Sequence, residues 1–286
     1  MLEATFISDE VSRDLDEAIA FACAEGLSAI ELRMIGDANV VTLPWPELEA
    51  IQAKLARAGL RVAALSTPLF KCPLGGGWID DDPDPFKAVS LDFDDHLALI
   101  PRAAAAAELL GTDKLRCFAF LGRGAYADVR DAIVERLRRA AAVLGGHAPR
   151  ARFCLENEHT TYVRTAAEVG DLVRELGAPF DVLWDPGNAY VAGERAPLLD
   201  FGRVAGLVTH VHVKDPVQDG DTLRFTALGR GEIDVRAQVR AWAESGYAGY
   251  VSLEPHLIVG RSSLDGARAC LDFLRPLLAE ANAGAA

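Results

Sequence analysis

Short runs of β-forming apolar residues alternate with longer amphipathic stretches along the whole chain of 286 residues. Strands that are joined through helices pair in parallel, and buried parallel strands appear as continuous apolar runs. The predicted strands are residues 5–8, 29–32, 61–65, 114–120, 151–155, 181–184, 207–213 and 250–253. Eight strand–helix units predict an α/β fold, a (β/α)8 TIM barrel formed as a single domain over residues 1–286, with a doubly wound sheet as the alternative.

Glycine and proline mark the points where the predicted helices end and the loops begin. Gly59 and Gly111 each follow a predicted helix, where glycine supplies the left-handed conformation that often ends a helix. The one conspicuous irregular segment, residues 73–85 (PLGGGWIDDDPDP), follows the third predicted strand. Active sites of such barrels lie beyond the carboxyl ends of the strands. The segment is therefore either a solvated loop or a lid over a substrate.

The charge and hydrophobicity of the chain limit its partners. It has 42 acidic and 29 basic residues and a net charge of −13, whereas nucleic-acid binding requires clustered lysine and arginine. Its longest apolar stretches, such as residues 103–110, are shorter than the ~20 residues that a membrane span requires. No secretory signal pattern is evident, and the five scattered cysteines include no CxxC pair. We therefore expect a cytoplasmic protein with a small-molecule substrate, no nucleic-acid or membrane partner, and homo-oligomerisation as an open alternative.

Ionisable residues end or follow the last four predicted strands, where a barrel interior is expected to be apolar or small. Taking one inward-facing residue from each strand gives Glu156, Asp185, His212 and Glu254. Three carboxylates that converge without a cation repel one another, and a divalent metal ion removes that conflict. Each residue alone is explained as a solvated or capping acid or as a core histidine, but the coincidence of four favours a metal site. Three oxygen ligands and one imidazole suit Mn²⁺, Mg²⁺ or Co²⁺.

Further polar residues lie on the same predicted rim, and we expect several of them to contact the substrate. Lys214 shares the inward face of His212, whereas His210 is expected to be an interior, hydrogen-bonded residue. Glu31 and Arg33 share a face at the end of the second strand, where a mutual salt bridge is the alternative to substrate binding. The other candidate contacts, each with the alternative of an ordinary exposed residue, are Glu158, His159, His256, Lys71 and Arg261.

The order of the motifs resembles the xylose isomerase-like superfamily of TIM barrels, which contains sugar isomerases and epimerases. The motifs are FISDE, IELR, LEN, WDPGN, HVHVKD, LGRGEID and SLEPH, and they span nearly the whole chain. The resemblance implies one divalent metal ion bound by Glu156, Asp185, His212 and Glu254, with substrate oxygens completing its coordination. Mn²⁺ is the first expectation, with Mg²⁺, Co²⁺ or Zn²⁺ as alternatives.

This chain differs from two branches of the superfamily at residues that are typical of each branch. The DNA-repair branch carries additional histidines where this chain reads LSTPLFK, RCFAFLG and RFTALGRG, and these stretches contain none. Similar ketose 3-epimerases carry a histidine three residues after the aspartate ligand, and this position is Asn188 here, which we keep as a candidate substrate contact. The HVKD segment is closer to the isomerases and dehydratases of inositol catabolism.

A site of this kind supports proton abstraction from the carbon next to a carbonyl, with the metal ion stabilising an enediolate. Glu156 and Glu254 are the expected catalytic pair, one acting as base and the other as acid. The leading function is a metal-dependent isomerase or epimerase of a small sugar or polyol-derived carbonyl compound. The alternative is a metal-dependent dehydratase (lyase) of an inosose or a 3-dehydroshikimate-like acid. A non-enzymatic sugar-binding barrel is a third interpretation, against which four intact ligands argue.

Overall fold

The chain folds into a ring of parallel strands. The structure is a computed structural model that describes residues 1–75, 91–220, 222–257 and 263–284, so most of the predicted loop or lid at 73–85 lies outside the described residues. The eight-stranded sheet contains β1 (Leu2–Phe6), β2 (Ala29–Leu32), β3 (Arg61–Leu69), β4 (Lys114–Cys117), β5 (Arg152–Glu156), β6 (Phe180–Trp184), β7 (Val208–Val213) and β8 (Gly249–Leu253).

Strands that follow one another in the chain are neighbours in the sheet, and the last strand lies beside the first, which closes the ring. All seven pairings in the sheet are parallel, and β8 pairs with β1. A parallel bridge between Ile7 and Glu31 joins the end of β1 to β2. The predicted (β/α)8 barrel is confirmed, and a doubly wound sheet, in which the strand order reverses, is excluded.

Helices connect the strands and bury one face each. The helices of the described residues are α1 (Leu15–Ala24), α2 (Trp45–Ala58), α3 (Phe93–Leu110), α4 (Tyr126–His147), α5 (Ala166–Leu176), α6 (Pro186–Val191), α7 (Pro197–Asp200), α8 (Val235–Glu244) and α9 (Ser263–Gly284). Short antiparallel pairs join Met34–Ile35 with Ala38–Asn39 and Asp215–Asp219 with Thr222–Thr226. Gly59 and Gly111, which follow α2 and α3, have φ values of 69° and 77°, as predicted. Of the helices named here, none is long and apolar enough to cross a membrane.

Two strands end earlier than the apolar pattern predicts. β1 ends at Phe6, and Ser8–Glu10 form a 3-10 turn in place of a longer strand. β4 ends at Cys117, although Phe118 and Phe120 remain buried beyond the end of the strand. An apolar pattern reports burial and not strand pairing, so it does not locate these strand ends.

The segment after β7 is held together by one aspartate. The Asp215 carboxylate accepts backbone N–H bonds from Gly229 (2.8 Å), Gly231 (2.9 Å) and Ile233 (3.1 Å). A Cβ on Gly231 would lie 2.2 Å from Asp215 Oδ1, so this close approach requires glycine. The HVHVKD and LGRGEID motifs are therefore parts of one structural unit.

A buried histidine in α3 makes the fold sensitive to acid. His96 is fully buried against Phe70, and neither ring nitrogen has a hydrogen-bond partner among the described residues. Burial lowers the pKa of His96 from 6.5 to about 4, although Asp95 and Asp92 act in the opposite direction. Between these two pH values the unfolded chain binds a proton that the folded chain does not. The free energy of unfolding therefore falls as the pH falls, by up to about 1.4 kcal/mol per pH unit.

Replacing His96 by leucine removes this contribution, because leucine binds no proton in either state. We expect the loss of unfolding free energy between about pH 7 and about pH 4.5 to be smaller in His96→Leu than in the wild type. Urea unfolding of both proteins at the two pH values measures it. Equal losses in the two proteins would contradict the prediction.

Candidate metal centre

Four acidic and imidazole side chains meet at the carboxyl ends of the last four strands. Glu156 ends β5, Asp185 directly follows β6, His212 lies near the end of β7, and Glu254 directly follows β8. One ligand atom from each lies within 4.8 Å of the others, and all four side chains are buried. The structure thus brings together the four residues that the sequence singles out, and their arrangement could hold a metal ion. Their role as metal ligands stays a prediction.

His212 is oriented by a carboxylate on the opposite side of its ring. Its Nε2 lies 3.0 Å from Glu31 Oε1, while its Nδ1 lies 3.5 Å from Glu156 Oε1 and 3.7 Å from Glu254 Oε2. Nδ1 is buried and has no hydrogen-bond partner among the described residues. Burial lowers the pKa of His212, but Glu31 and Glu156 outweigh it and raise the pKa to about 10. The carboxylates therefore favour a cation, either a proton or a metal ion, at Nδ1, as in carboxylate–histidine–metal arrangements.

The two carboxylate oxygens of Asp185 have different partners. Oδ1 accepts the backbone N–H of Asn188 at 2.8 Å and caps the first turn of α6. Oδ2 is buried and lies 2.8 Å from the ammonium nitrogen of Lys214. Burial raises the pKa of Asp185, and although Lys214 lowers it, Glu254 and Glu156 raise it further. Lys214 already supplies a cation beside Oδ2, so a metal ion bound by Asp185 would share this oxygen with the lysine.

Lys214 places a positive charge inside the same cluster. Its Nζ lies 2.6 Å from Glu254 Oε2 and forms an ion pair of 2.8 Å with Asp185 Oδ2, and 2% of its side chain is exposed. A Cβ on Gly187 would lie 2.5 Å from Lys214 Cγ, so the lysine stem passes here only because residue 187 is glycine. The protein thus supplies one cation of its own, so the carboxylates do not converge without a cation and their repulsion alone does not require a metal ion. The fit to a metal ion rests instead on His212 Nδ1.

Glu31 differs from its prediction as a substrate contact. It is fully buried, and its two oxygens lie 2.7 Å from His210 Nε2 and 3.0 Å from His212 Nε2, while Ser66 donates its hydroxyl to the same carboxylate. These contacts hold the pKa of Glu31 well below its usual value despite burial, through His212 first and then His210. Because no part of it reaches the barrel mouth, Glu31 is a positioning residue. His210 is the interior, hydrogen-bonded residue that the sequence predicts.

Arg33 pairs with three carboxylates other than Glu31. Its guanidinium lies 2.9 Å from Asp9 Oδ1, 2.7 Å from Glu10 Oε1 and 2.8 Å from Glu254 Oε1. The considered salt bridge to Glu31 is thus replaced by a buried network that orients Glu254. Sequence reasoning missed Asp9 and Glu10, although both belong to the FISDE motif that follows the first strand.

His256 lies at the barrel mouth beside this network. Its Nδ1 lies 3.0 Å from Glu10 Oε1, its backbone N–H donates to Glu10 Oε2 at 2.8 Å, and its Nε2 is 3.9 Å from Glu254 Oε2. Burial raises the pKa of Glu10, but His256 and Arg33 lower it to about 2. The ring packs 5.2 Å from that of Phe225 and is partly exposed, so it can meet a ligand.

A second group of predicted contacts surrounds Glu156. Asn188 donates from Nδ2 to Glu156 Oε1 at 3.1 Å, and its Oδ1 lies 3.0 Å from His159 Nδ1. The same nitrogen of His159 lies 2.9 Å from Glu158 Oε1, and Lys71 Nζ is 3.9 Å from Glu158 Oε2. Despite burial, Lys71 and His159 hold the pKa of Glu158 well below its usual value. These side chains form one connected, partly exposed rim next to the candidate centre.

One further charged residue of the site was missed by the sequence analysis. Arg116 of β4 is 7% exposed, and its Nη1 lies 3.5 Å from Glu156 Oε2 and 3.8 Å from Glu254 Oε1. The available signal was an arginine between two apolar residues, Leu115 and Cys117, of the fourth strand. The remaining predicted contact, Arg261, lies outside the described residues.

Known structures resemble this barrel. One is the probable 3-DHS dehydratase AsbF from Bacillus anthracis (TM-score 0.73, 18% identity, covering 96% of this chain and 98% of that one). An L-ribulose 3-epimerase has a TM-score of 0.72 and 18% identity, covering 100% of this chain and 97% of that one. The IolI protein with a zinc atom has a TM-score of 0.75 and 13% identity, covering 97% and 98%. At these identities the likeness shows the fold alone.

The sequence itself matches one protein family over most of its length. No curated protein matches the chain in sequence. The pattern of the xylose isomerase-like TIM barrel family matches residues 19–277, from within α1 to within α9, and this range contains all four candidate ligands. The chain therefore belongs to the xylose isomerase-like TIM barrel family.

Proposed function

We propose that the protein is a divalent-metal-dependent isomerase or epimerase of a small sugar or polyol-derived carbonyl compound. The observation that carries the proposal is the buried Nδ1 of His212, which lacks a hydrogen-bond partner among the described residues and lies beside three carboxylates. Glu156, Asp185, His212 and Glu254 would hold the ion, with Mn²⁺ first and Mg²⁺, Co²⁺ or Zn²⁺ as alternatives. The epimerases and the zinc-containing protein among the similar structures support the proposal.

The chain's own carboxylates would move the proton. When bound, the ion supplies a Lewis acid that polarises a carbonyl oxygen. Glu156 and Glu254 approach the site from β5 and from the end of β8, so one can remove a proton next to the carbonyl and the other can return it. Burial raises the pKa of Glu254, but the surrounding cations, Lys214 first, hold it well below its usual value. Glu254 is therefore ionised at neutral pH and able to accept a proton. Its lowered pKa makes it a weak base, however, so much of the rate would have to come from acidifying the substrate C–H bond.

The rim residues would bind the substrate's hydroxyl groups. Lys214 and His256 lie beside Glu254. On the other side, Asn188 links Glu156 to the remaining candidate contacts, which are Glu158, His159 and Lys71. Hydroxyl groups accept from the cationic and amide donors and donate to the carboxylate, so the mixed rim suits a polyhydroxy compound.

A second candidate function is a dehydratase that expels a hydroxyl from the same kind of substrate. The specific observation that favours it is Arg116, whose buried guanidinium suits an acidic substrate. A probable 3-DHS dehydratase is among the similar structures, which supports the same candidate.

Two measurements test the proposed function. Metal analysis of the purified protein is expected to find one divalent ion per chain, and a protein that neither holds nor is stabilised by Mn²⁺ would refute the site. Incubation with ketoses and inososes in D₂O then separates the two reactions. Solvent deuterium in a product of unchanged skeleton supports the isomerase, whereas loss of water supports the dehydratase.

Replacing Glu31 by glutamine is expected to weaken Mn²⁺ binding about 10- to 100-fold, because the carboxylate that orients His212 becomes neutral. Calorimetric titration of the chelator-treated protein with Mn²⁺ measures the effect without any substrate. Glu135→Gln, an exposed glutamate on α4, is the matched control and is expected to bind Mn²⁺ like the wild type. Unchanged affinity in folded Glu31→Gln would remove Glu31 from the positioning role.

A further inference from the structure

Arg116 is a buried guanidinium with weak partners. It is 7% exposed, and its contacts are 3.4 Å to the Thr67 backbone oxygen, 3.5 Å to Glu156 and 3.8 Å to Glu254. Among the described residues, the guanidinium itself makes no polar contact shorter than these. Arg33, in contrast, reaches three carboxylates at 2.7 to 2.9 Å.

Because these contacts are long, the N–H groups of Arg116 keep hydrogen-bonding capacity in the centre of the site. A buried charge is costly unless it is closely paired, so Arg116 is poorly satisfied by the protein alone. The Phe118 ring lies 4.9 Å from its guanidinium carbon and packs on the planar group, which leaves the N–H edge for polar partners. Lys71 Nζ lies 5.0 Å from the centre of the same ring, so two positive charges flank Phe118.

We propose that Arg116 binds a carboxylate group of the substrate, which makes the substrate a hydroxylated oxo acid instead of a neutral sugar. The inference rests on the proposed function and narrows its substrate class. The forked guanidinium matches the two oxygens of a carboxylate. A phosphate is disfavoured because its second negative charge would lie beside Glu156 and Glu254, the two carboxylates that Arg116 already adjoins.

The test compares two four-carbon compounds that differ in charge, threonate and threitol, on the Mn²⁺-loaded protein. We expect calorimetry to show threonate binding at least about 10-fold more tightly than threitol to the wild type, since hydrogen bonds between charged groups are stronger than neutral ones. Arg116→Gln is expected to lose about 10-fold or more of this preference. Arg116→Lys, which keeps the charge but not the fork, is expected to retain part of it. Chelation of the ion by threonate is common to all three proteins and cancels in the comparison.

Two results would overturn the inference. One is the same preference for threonate in the wild type and in both Arg116 variants. The other is tighter binding of glycerol 3-phosphate than of threonate by the wild type. Unfolding midpoints and Mn²⁺ stoichiometry are measured first, so that only folded, loaded protein is compared, and Arg116→Lys serves if the glutamine variant does not fold. Failure of the wild type to bind Mn²⁺ would refute the proposed function, whereas an unaltered preference in loaded variants would refute this inference alone.

Discussion

Glu254→Gln is expected to lower turnover by about 100- to 10,000-fold while the barrel stays folded. Glutamine has the shape of glutamate but cannot accept the substrate proton. Arg33 retains its two other carboxylates and Lys214 retains Asp185, so both buried cations keep a partner in the variant. The measurement is the rate of solvent-deuterium incorporation into the substrate that the Mn²⁺-loaded wild type turns over.

Two further results make this experiment specific. Glu135→Gln, on the exposed face of α4, is expected to keep the wild-type rate. The unfolding midpoint and the Mn²⁺ content of Glu254→Gln are compared with the wild type, because Glu254 is also a proposed ligand. Full activity in Glu254→Gln would remove this residue from the mechanism.

Lys214→Met is expected to destabilise the metal-free protein by about 3–5 kcal/mol, because it leaves two buried carboxylates without their shared cation. Mn²⁺ is expected to stabilise this variant more than the wild type, since the ion then replaces the missing positive charge. Urea unfolding of the chelator-treated protein, repeated with added Mn²⁺, measures both effects.

The matched control is a lysine in an exposed ion pair. Lys54 lies 2.7 Å from Asp16 Oδ2 with 37% of its side chain exposed, and Lys54→Met is expected to change the free energy of unfolding by less than about 1 kcal/mol, with or without Mn²⁺. If Lys214→Met were no more destabilising than Lys54→Met, the ion pairs of Lys214 would add nothing to the free energy of unfolding beyond that of an exposed pair. If Mn²⁺ stabilised the variant no more than the wild type, Lys214 and the ion would not share these carboxylates.

The barrel and its four candidate ligands were predictable because both depend on local patterns. A parallel strand buried on two sides produces an apolar run, and a polar residue directly after it, such as Asp185 or Glu254, stands out against that run. The chain order of the eight units then places these residues at one end of the barrel. Strand ends were less predictable, since Phe118 and Phe120 are buried beyond the end of β4.

The partners of the candidate ligands were not predictable, because they are chosen across the barrel. Glu31 lies 181 residues before His212, and only the closure of the ring shows that the two meet. Its sequence neighbour Arg33 suggested a local salt bridge, but Arg33 reaches Glu254, 221 residues away. Arg116 was missed for a similar reason, since the role of a charged residue inside a strand can be judged only when the residues across the barrel interior are known.

The two halves of the barrel contribute differently to its centre. All four candidate ligands come from β5 to β8, whereas Glu31, Arg33 and Arg116, which contact them from across the ring, come from β2 to β4 or directly follow β2. An isolated second half would therefore carry every candidate ligand, and Lys214 beside Glu254, but neither the orienting carboxylate of His212 nor the Arg33 contact to Glu254. Substitutions in the first half can therefore change the orientation of His212 and Glu254 without removing a candidate ligand. The geometry of the candidate centre thus depends on the closure of the whole ring and not on the second half alone.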